Sequence, residues 1–454
     1  MQAVGGQSVD QFIDSQPMSR FQKKVVFLCF LIAALDGLDA AGVGFVGPAI
    51  RAHWHLSAAD LAPVFGAGLF GIMCGGILFG PLADKYGRKM VLVVSVLLFG
   101  IASVVSAVAP DLRILVILRF LTGIGLGGAM PNTITLTSEY CPGGRRSGYT
   151  TLMFSGFTIG AIAGGLLTAQ LVGTIGWQGV FAAGGVLPIA LVPFLVRYLP
   201  ESIRFLLLLD NRHAYEQVSG IAAAIAGPGH AVPTLHADAK VKRSPVSALF
   251  APRIVVGTLL IWVTFFSSLL IIYLLTSWIP VLLSSAGVSI QSAALISMAH
   301  QIGAALGSIW LGRQMDRADP QGVLAFAYLA ALPMIILCAF SGHDKALIVV
   351  AIFALGFLVT GGQIGGYALV ANFYPTSSPS TGVSWANSVG RIGAALGSMA
   401  GGFMMTAGMQ LRQIILTLLI PAAIATVALF LLGRERKKRQ HVAAVVPTPT
   451  VPTP

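Results

Sequence analysis

Long apolar segments alternate with short polar ones along almost the whole chain. Segments of about 20 mostly apolar residues are long enough to cross a bilayer as helices. Twelve such segments lie near residues 25–50, 60–82, 90–109, 112–138, 149–172, 179–199, 254–284, 290–312, 323–341, 346–370, 381–407 and 413–433. The first is too long for the apolar core of a cleaved signal peptide, and no small-residue cleavage site follows it. The pattern therefore predicts an all-α membrane protein with twelve transmembrane helices.

A polar stretch near residues 200–253 separates the first six spans from the last six. Within it, residues 203–226 favour a surface helix, whereas Gly227-Pro228-Gly229 is typical of a linker. The predicted organisation is an N-terminal segment (1–24), an N-terminal six-helix bundle (25–199), a central loop (200–253), a C-terminal six-helix bundle (254–433) and a tail (434–454) that is basic and then Pro-rich and disordered.

The basic residues are distributed very unevenly between the two sides of these spans. If the N-terminus is cytoplasmic, 22 of the 28 Lys and Arg residues lie on the cytoplasmic side, whereas the outer segments hold Arg51, Arg113, Lys345 and Arg412. The positive-inside rule therefore places both termini in the cytoplasm. The net charge of +12 is explained by this topology, so it does not indicate binding to nucleic acid.

Composition excludes several classes of protein. Charged residues make up 10% of the chain and hydrophobic residues 56%, so a soluble fold has too few charges to cover its surface. The four cysteines are scattered and form no metal-binding or disulfide pattern. The sequence also lacks a phosphate-binding loop, a nucleophile motif and a dinucleotide-binding motif. We therefore expect no cofactor, no metal and no enzymatic activity.

The two halves of the chain resemble each other at an offset of 233 residues. At this offset the matches pair Glu139-Tyr140-Cys141-Pro142 with Asn372-Phe373-Tyr374-Pro375, Gly123 with Gly356, Gly128 with Gly361, and Gly160 with Gly393. At an offset of 232, Gly80 to Lys85 matches Gly312 to Arg317. Two six-helix halves in parallel repeat are typical of transporters whose substrate site lies near the middle of the membrane. The repeat therefore predicts a carrier.

Several motifs resemble those of the major facilitator superfamily. The segment from Gly80 to Lys89 (GPLADKYGRK) is similar to the signature loop between helices two and three, although its second copy departs from the pattern after Asp316-Arg317. Arg119 with the following glycines resembles the fourth-helix motif, and Pro200-Glu201-Ser202-Ile203-Arg204 resembles the motif that ends helix six. These resemblances imply the two-bundle fold of that superfamily.

Asp36-Gly37-Leu38-Asp39 in the first span, taken with the signature loop and the Glu139-Tyr140-x-Pro142 ending, is similar to the aromatic acid:proton symporters. The resemblance implies proton-coupled import of an aromatic carboxylate, such as a hydroxybenzoate, through the bacterial cytoplasmic membrane. It also implies that both aspartates matter for uptake. The expected partners are therefore the aromatic carboxylate, protons and the lipid bilayer, and we expect a monomer.

Ionisable side chains inside the membrane are costly and therefore indicate function. Asp36 and Asp39 are three residues apart and share a helix face. Two close carboxylates do not both ionise at low cost, which suits one of them to carry a proton. Arg119 is the natural counter-charge and a second possible anion binder. The alternative is a static Asp–Arg pair that only fixes helix packing.

Arg391 lies about ten residues inside the eleventh span and is suited to pair with a substrate carboxylate. The alternative is an arginine that reaches the membrane surface. His300 and Gln301 are candidates to bind a phenol or carboxylate, or to relay a proton, although a buried histidine often only packs. Trp385, Asn387 and Tyr273 complete the predicted substrate site. Phe65, Tyr367 and Trp278 are further aromatic candidates, of which Trp278 most resembles an interfacial residue.

A second set of charged residues lies at the predicted cytoplasmic ends of the spans. The candidate gating residues are Asp84, Arg88, Glu139, Arg145, Asp316, Glu201 and Arg204. A solvated helix end is the alternative for Glu139. Glycine-rich faces, such as Gly66/Gly68/Gly71 and Gly156/Gly160/Gly164, predict close helix packing.

Two kinds of alternative function remain open. The first is another specificity in the same fold, namely a sugar or aliphatic-acid symporter or a drug/proton antiporter. Helices seven and eight offer only Gln291 and Gln301 as amide side chains, which is few for a sugar site. The second is a membrane receptor for aromatic compounds that does not transport them.

Overall fold

A computed structural model describes residues 7–209, 211–227, 235–236, 249–251, 254–342, 344–374 and 379–445. The helices are α1 (Val9–Ser15), α2 (Arg20–His53), α3 (Ala58–Tyr86), α4 (Arg88–Ser106), α5 (Leu112–Tyr140), α6 (Arg146–Leu171), α7 (Gly176–Tyr198), α8 (Ile203–Leu208), α9 (Arg212–Ala226), α10 (Val255–Ser285), α11 (Ile290–Arg317), α12 (Pro320–Phe340), α13 (Lys345–Leu355), α14 (Gly361–Phe373), α15 (Pro379–Thr406), α16 (Leu411–Thr417) and α17 (Leu419–Val445). A π-helical turn, Gly356–Thr360, joins α13 to α14. The strands Gln7–Ser8 and Leu235–His236 pair in parallel.

Eleven helices or helix runs in the described part of the chain are long and apolar enough to cross a membrane. The expected eleventh span, 381–407, corresponds to α15, a helix of 28 residues that is not among those eleven. Its composition explains the difference, because glycine, serine, Asn387 and Arg391 lower its hydropathy. The all-α membrane fold predicted from the sequence is confirmed. The predicted linker residues 237–248 and the last nine residues of the predicted tail, 446–454, lie outside the described residues.

Local sequence signals set the helix boundaries. Ser19 begins α2 with a capping box, in which the Gln22 backbone N–H donates to Ser19 Oγ at 3.2 Å and the Ser19 N–H donates to Gln22 Oε1 at 2.8 Å. Gly87 separates α3 from α4 with a φ of 95°, in the region that favours glycine. A Cβ at this position would also overlap the carboxylate of Glu201. The tight turn between these helices therefore requires glycine.

Contacts between Cα atoms divide the chain into two compact units. Unit 1 comprises Met1–Val241, Thr276–Met298 and Met399–Thr406, and unit 2 comprises Lys242–Leu275, Ala299–Ser398 and Ala407–Pro454. The main hydrophobic core of unit 1 includes Phe12 of α1, Val218 and Ala222 of α9, and the fully buried Tyr140 at the end of α5. Helix α1 is therefore part of the folded unit.

Glycines allow helix backbones to touch within each unit. In unit 1 a Cβ at Gly160 of α6 would overlap the carbonyl oxygen of Ala34 in α2. In unit 2 a Cβ at Gly393 of α15 would overlap the carbonyl oxygen of Phe266 in α10. These two glycines are the pair that the internal repeat relates, so repeat and packing agree. The predicted close packing at the glycine-rich faces is confirmed.

The ends of α10 and α11 that belong to unit 1 pack on α2 and α3. A Cβ at Gly44 would overlap the carbonyl oxygen of Thr276. The Trp278 ring meets Phe65 edge-on with 5.2 Å between centroids, and Trp278 is 0% exposed. The expectation that Trp278 lies in an interfacial belt is therefore wrong, because its ring fills a gap between packed helices rather than facing the membrane surface.

Candidate functional site

A buried ion pair joins α5 to α2 in unit 1. Arg119 Nη1 lies 3.1 Å from Asp39 Oδ1, and the two residues are 2% and 6% exposed. The hydroxyl of Ser103 on α4 donates to the same oxygen at 3.3 Å. Because little water reaches this pair, the attraction between the two charges is only weakly screened. Each of the two buried charges therefore depends on the other for compensation.

Arg119 also has contacts that do not involve a carboxylate. Its Nη2 donates to Ser106 Oγ and to Thr122 Oγ1, both at 3.0 Å. Its guanidinium carbon lies 4.4 Å from the centroid of the Phe181 ring, at the distance of a cation–π contact. Within the described residues its Nε has no hydrogen-bond partner. Hydroxyls and an aromatic face thus hold the arginine in place beside the carboxylate.

Asp36 lies one helical turn before Asp39 on α2 and is 5% exposed. The two carboxylates therefore occupy the same buried region, as their spacing predicts. The ion pair of Arg119 described above is made with Asp39.

A polar cluster in unit 2 is centred on Tyr367 of α14. Its hydroxyl donates to Asn387 Oδ1 at 3.0 Å, and its ring meets Phe265 edge-on with 5.3 Å between centroids. Arg391 of α15 is partly buried. Asn387 and Arg391 are four residues apart on α15 and so share one helix face. The cluster combines a cation, a hydroxyl, an amide and aromatic rings.

His300 lies at the contact between α11 and the π-helical turn. It is 2% exposed, and its Nε2 lies 3.2 Å from Thr360 Oγ1, whereas its Nδ1 has no partner among the described residues. A Cβ at Gly356 would overlap the His300 carbonyl oxygen, so the two helices touch here. Single π-turns are frequent at functional sites. Gln301 is 8% exposed and follows His300 on α11.

The other predicted substrate-site residues lie on α10 and α15. Trp385 is 40% exposed and stacks on Trp262, with 5.7 Å between centroids and 16° between planes. Tyr273 is partly buried. Gln363, which was not predicted, lies one turn before Tyr367, is 4% exposed, and has an Nε2 without a partner in the described part of the chain.

The predicted gating residues of unit 1 form a network around the turn between α3 and α4. Arg88 Nε lies 3.2 Å from Glu139 Oε1, and Arg88 Nη2 lies 3.8 Å from Asp84 Oδ1. Glu201 Oε1 accepts from the backbone N–H groups of Arg88 at 2.8 Å and Lys89 at 3.2 Å. The Glu201 carboxylate therefore satisfies the free N–H groups at the start of α4 and interacts with its dipole.

Arg204 takes part in a different contact, with the N-terminal helix. Its Nη2 lies 2.6 Å from Asp10 Oδ1, and Arg146 Nη2 lies 3.1 Å from the same oxygen. Arg145 is exposed in the short helix that precedes α6, and Asp316 is exposed near the end of α11. Gating roles for these residues remain predictions.

Comparison with known proteins identifies the family to which this chain belongs. The model described as Major Facilitator Superfamily matches residues 29–361 and 285–454. This chain belongs to the major facilitator superfamily. It is therefore a multi-pass membrane transporter and not an enzyme, as expected.

Two relatives of this chain are named as transporters of aromatic acids. The chain is 41% identical to the 4-hydroxybenzoate transporter PcaK of Pseudomonas putida over 433 residues, which is 94% of this chain and 96% of that protein. It is 42% identical to a gallate transporter of the same species over 94% of this chain and 95% of the relative. A partially occluded inward-open structure of the xylose transporter XylE from E. coli aligns with a TM-score of 0.72 at 17% identity, covering 96% of this chain and all of that one. This last likeness concerns the fold alone.

Several contacts of this superfamily member carry no clear sequence signal. Ser106 and Thr122 are small hydroxyl residues of a kind common in membrane helices, where they usually bond to their own backbone. Phe181 is one of 25 phenylalanines. Asp10 precedes the first span by ten residues, so nothing in its position pointed to Arg204. Only the folded helices bring these side chains together.

Proposed function

We propose that this transporter imports an aromatic carboxylate together with protons by alternating access. It would do so through the bacterial cytoplasmic membrane, with both termini in the cytoplasm. The observation that carries the proposal is the burial of Asp39 and Arg119 as an ion pair, with Asp36 one turn away. The names of the aromatic-acid relatives support the substrate class.

Arg391 is the proposed partner of the substrate carboxylate. It lies twelve residues into α15, or about 18 Å along the axis at 1.5 Å per residue. Because α15 has 28 residues and is about 42 Å long at the same rise, Arg391 lies near the middle of this helix. The guanidinium can pair with a carboxylate through two hydrogen bonds. Tyr367 and Asn387 offer further polar contacts beside it, and Phe265 offers an aromatic edge.

The proton is proposed to compete with Arg119 for Asp39. Protonation removes the charge of the carboxylate and weakens the ion pair. Arg119 then keeps its contacts with Ser106, Thr122 and the Phe181 ring, which lowers the cost of losing its partner. Asp36 is the proposed second member of the proton site. Proton binding and substrate binding are coupled if the carrier binds the substrate with different affinity when this site is protonated and when it is ionised.

The polar network around Arg88, Glu139 and Asp84 is proposed to open and close the cytoplasmic side. Two contacts are proposed to close the outer side. They are the hydrogen bond from Arg51 Nη1 to Ser285 Oγ, at 2.9 Å, and the edge-on contact of Phe65 with Trp278. Transport then requires the cytoplasmic contacts and the outer contacts to break alternately. His300 and Gln301 are proposed to contact the substrate ring or its hydroxyl groups.

The test is uptake of radiolabelled 4-hydroxybenzoate by proteoliposomes with and without an inward proton gradient. We expect the gradient to drive accumulation, Asp36→Asn to abolish accumulation, and Arg391→Gln to weaken substrate binding at least tenfold. Arg391→Lys keeps the charge but loses the two-point geometry, so an intermediate affinity is expected. Uptake that ignores the gradient would contradict symport, and failure of aromatic acids to bind would contradict the substrate class.

A further inference from the structure

An open pocket lies beside the end of α7 in unit 1. Its volume is about 640 Å³, and its wall includes Lys89, Arg197, Tyr198, Glu201, Leu206 and Leu209. The pocket is separate from the buried ion pair, because it lies where α7 ends and α8 begins. Its position at the end of a membrane-spanning helix places it at the level of lipid headgroups.

Cations surround the Tyr198 ring at the rim of this pocket. Lys24 Nζ lies 3.4 Å from the ring centroid, and the guanidinium carbon of Arg197 lies 5.5 Å from it. Lys89 contributes a third cation, and its Nζ donates to the carbonyl of Val196 at 2.8 Å. Lys24 and Arg197 are exposed, so both are available to an anion.

The acidic group of the pocket is already engaged. Glu201 is the one acid among the lining residues that the structure describes, and its carboxylate accepts from the backbone N–H groups of Arg88, Lys89 and Ser202. Its charge therefore offsets the start of α4 more than it offsets the rim. The rim retains an excess of positive charge.

Apolar side chains are exposed next to these cations. Phe194 and Val196 of α7 are 56% and 53% exposed, and Leu208 and Leu209 after it are 60% and 45% exposed. On a membrane-spanning helix such side chains contact acyl chains. A ligand that matches both features carries one negative headgroup and an apolar tail.

We propose that this pocket binds the phosphodiester headgroup of an anionic phospholipid. The phosphate would lie between Lys24, Arg197 and Lys89, and an acyl chain would lie along Phe194 and Val196. A free phosphate ion matches the cations but gains nothing from the apolar surface. A zwitterionic lipid matches the apolar surface but has no net charge for the rim.

The experiment uses the full-length protein in nanodiscs of phosphatidylcholine with 20% phosphatidylglycerol or without it. Native mass spectrometry after release counts the lipids that stay bound. The test variant is Lys24→Gln/Arg197→Gln, and the matched control is Arg20→Gln/Lys23→Gln, which removes two other exposed cations from the start of α2. Of these four cations, Lys24 and Arg197 are the two that lie against the Tyr198 ring in the described structure. The charge-preserving variant Lys24→Arg/Arg197→Lys tests whether lipid retention depends on the two positive charges or on the packing of the two native side chains.

We expect wild type, the control and the charge-preserving variant to retain phosphatidylglycerol, and the test variant to retain at least fivefold less. Equal retention by the test variant would overturn the proposal, as would preferential retention of phosphatidylcholine by wild type. Displacement of the lipid by millimolar inorganic phosphate would point to a free-anion site instead. Circular dichroism verifies that each variant is folded. The readout is lipid binding, so it does not depend on the proposed transport activity.

Discussion

Arg119 on α5 and Asp39 on α2 form an ion pair of 3.1 Å in a region that is almost fully buried. Such a pair contributes little net stability, because both charges have lost water. Removing one partner is far more costly, since the other charge then remains buried alone. The stability of single and double variants therefore tests a structural role of the pair, whereas their transport activity tests a role in proton coupling.

We expect Asp39→Asn to lower the free energy of unfolding by about 3–5 kcal/mol, because it leaves Arg119 without its counter-charge. The double variant Asp39→Asn/Arg119→Gln removes both charges and should recover most of that loss. Neither variant should accumulate substrate against a gradient. Chemical denaturation measures stability, and proteoliposome uptake measures transport.

Asp36→Asn is the comparison for this prediction. It leaves the ion pair intact, so its unfolding free energy should lie closer to wild type than that of Asp39→Asn. A double variant that is stable and also transports normally would show that the pair has no part in coupling.

Two glycines of α2 test the packing of this helix. A Cβ at Gly37 would overlap the backbone of Phe157 in α6, whereas a Cβ at Gly42 meets nothing within 4 Å. We expect Gly37→Ala to lower the yield of folded protein severely, because the backbones must separate. Gly42→Ala should be neutral or slightly stabilising, since alanine favours the helix. Size-exclusion chromatography of the detergent-solubilised protein measures the difference, and equal yields would contradict the packing argument.

The sequence was sufficient for the features that repeat along the chain. Apolar length predicted the spans, and the glycine-rich face that includes Gly160 predicted close helix packing. The sequence alone did not predict features that depend on the contact between two particular side chains. The choice of Asp39 as the ion-pair partner of Arg119 depends on helix rotation. The burial of Trp278 depends on its contact with Gly401 and Gly402 of α15. Tyr367 became important only because α14 places its hydroxyl beside Asn387.

Asp10 provides a prediction for the pH dependence of stability. Partial burial raises the pKa of Asp10, but the hydrogen bonds and charges of Arg204 and Arg146 outweigh this effect and hold the pKa below its usual value. A carboxyl with a lowered pKa in the folded state stabilises the protein above the pKa of the unfolded chain, near 3.8. The contribution is lost as the pH falls through the folded-state pKa.

We therefore expect wild type to be more stable than Asp10→Asn at pH 7 and this advantage to shrink as the pH falls below about 3.8. Asp10 is more than one third exposed, so the difference should be at most about 1 kcal/mol. Thermal unfolding at pH 7, 5 and 3 measures it. Asp316→Asn, at an exposed acid, is the control and should leave stability unchanged at each pH. A difference between wild type and Asp10→Asn that is as large at pH 3 as at pH 7 would show that it is not electrostatic.

The contact between Arg51 and Ser285 tests alternating access directly. Arg51 Nη1 donates to Ser285 Oγ at 2.9 Å within unit 1. If this contact must break for substrate to enter, joining the two positions should stop uptake. The test variant is Arg51→Cys/Ser285→Cys in a Cys74→Ser background, which removes the one exposed native thiol among the described residues. We expect a short reducible thiol cross-linker to abolish at least nine tenths of its uptake. Reduction of the cross-link should restore the uptake. Each single-cysteine variant should keep its uptake under the same treatment. Undiminished uptake by protein shown to be cross-linked by mass spectrometry would mean that these positions do not separate during transport.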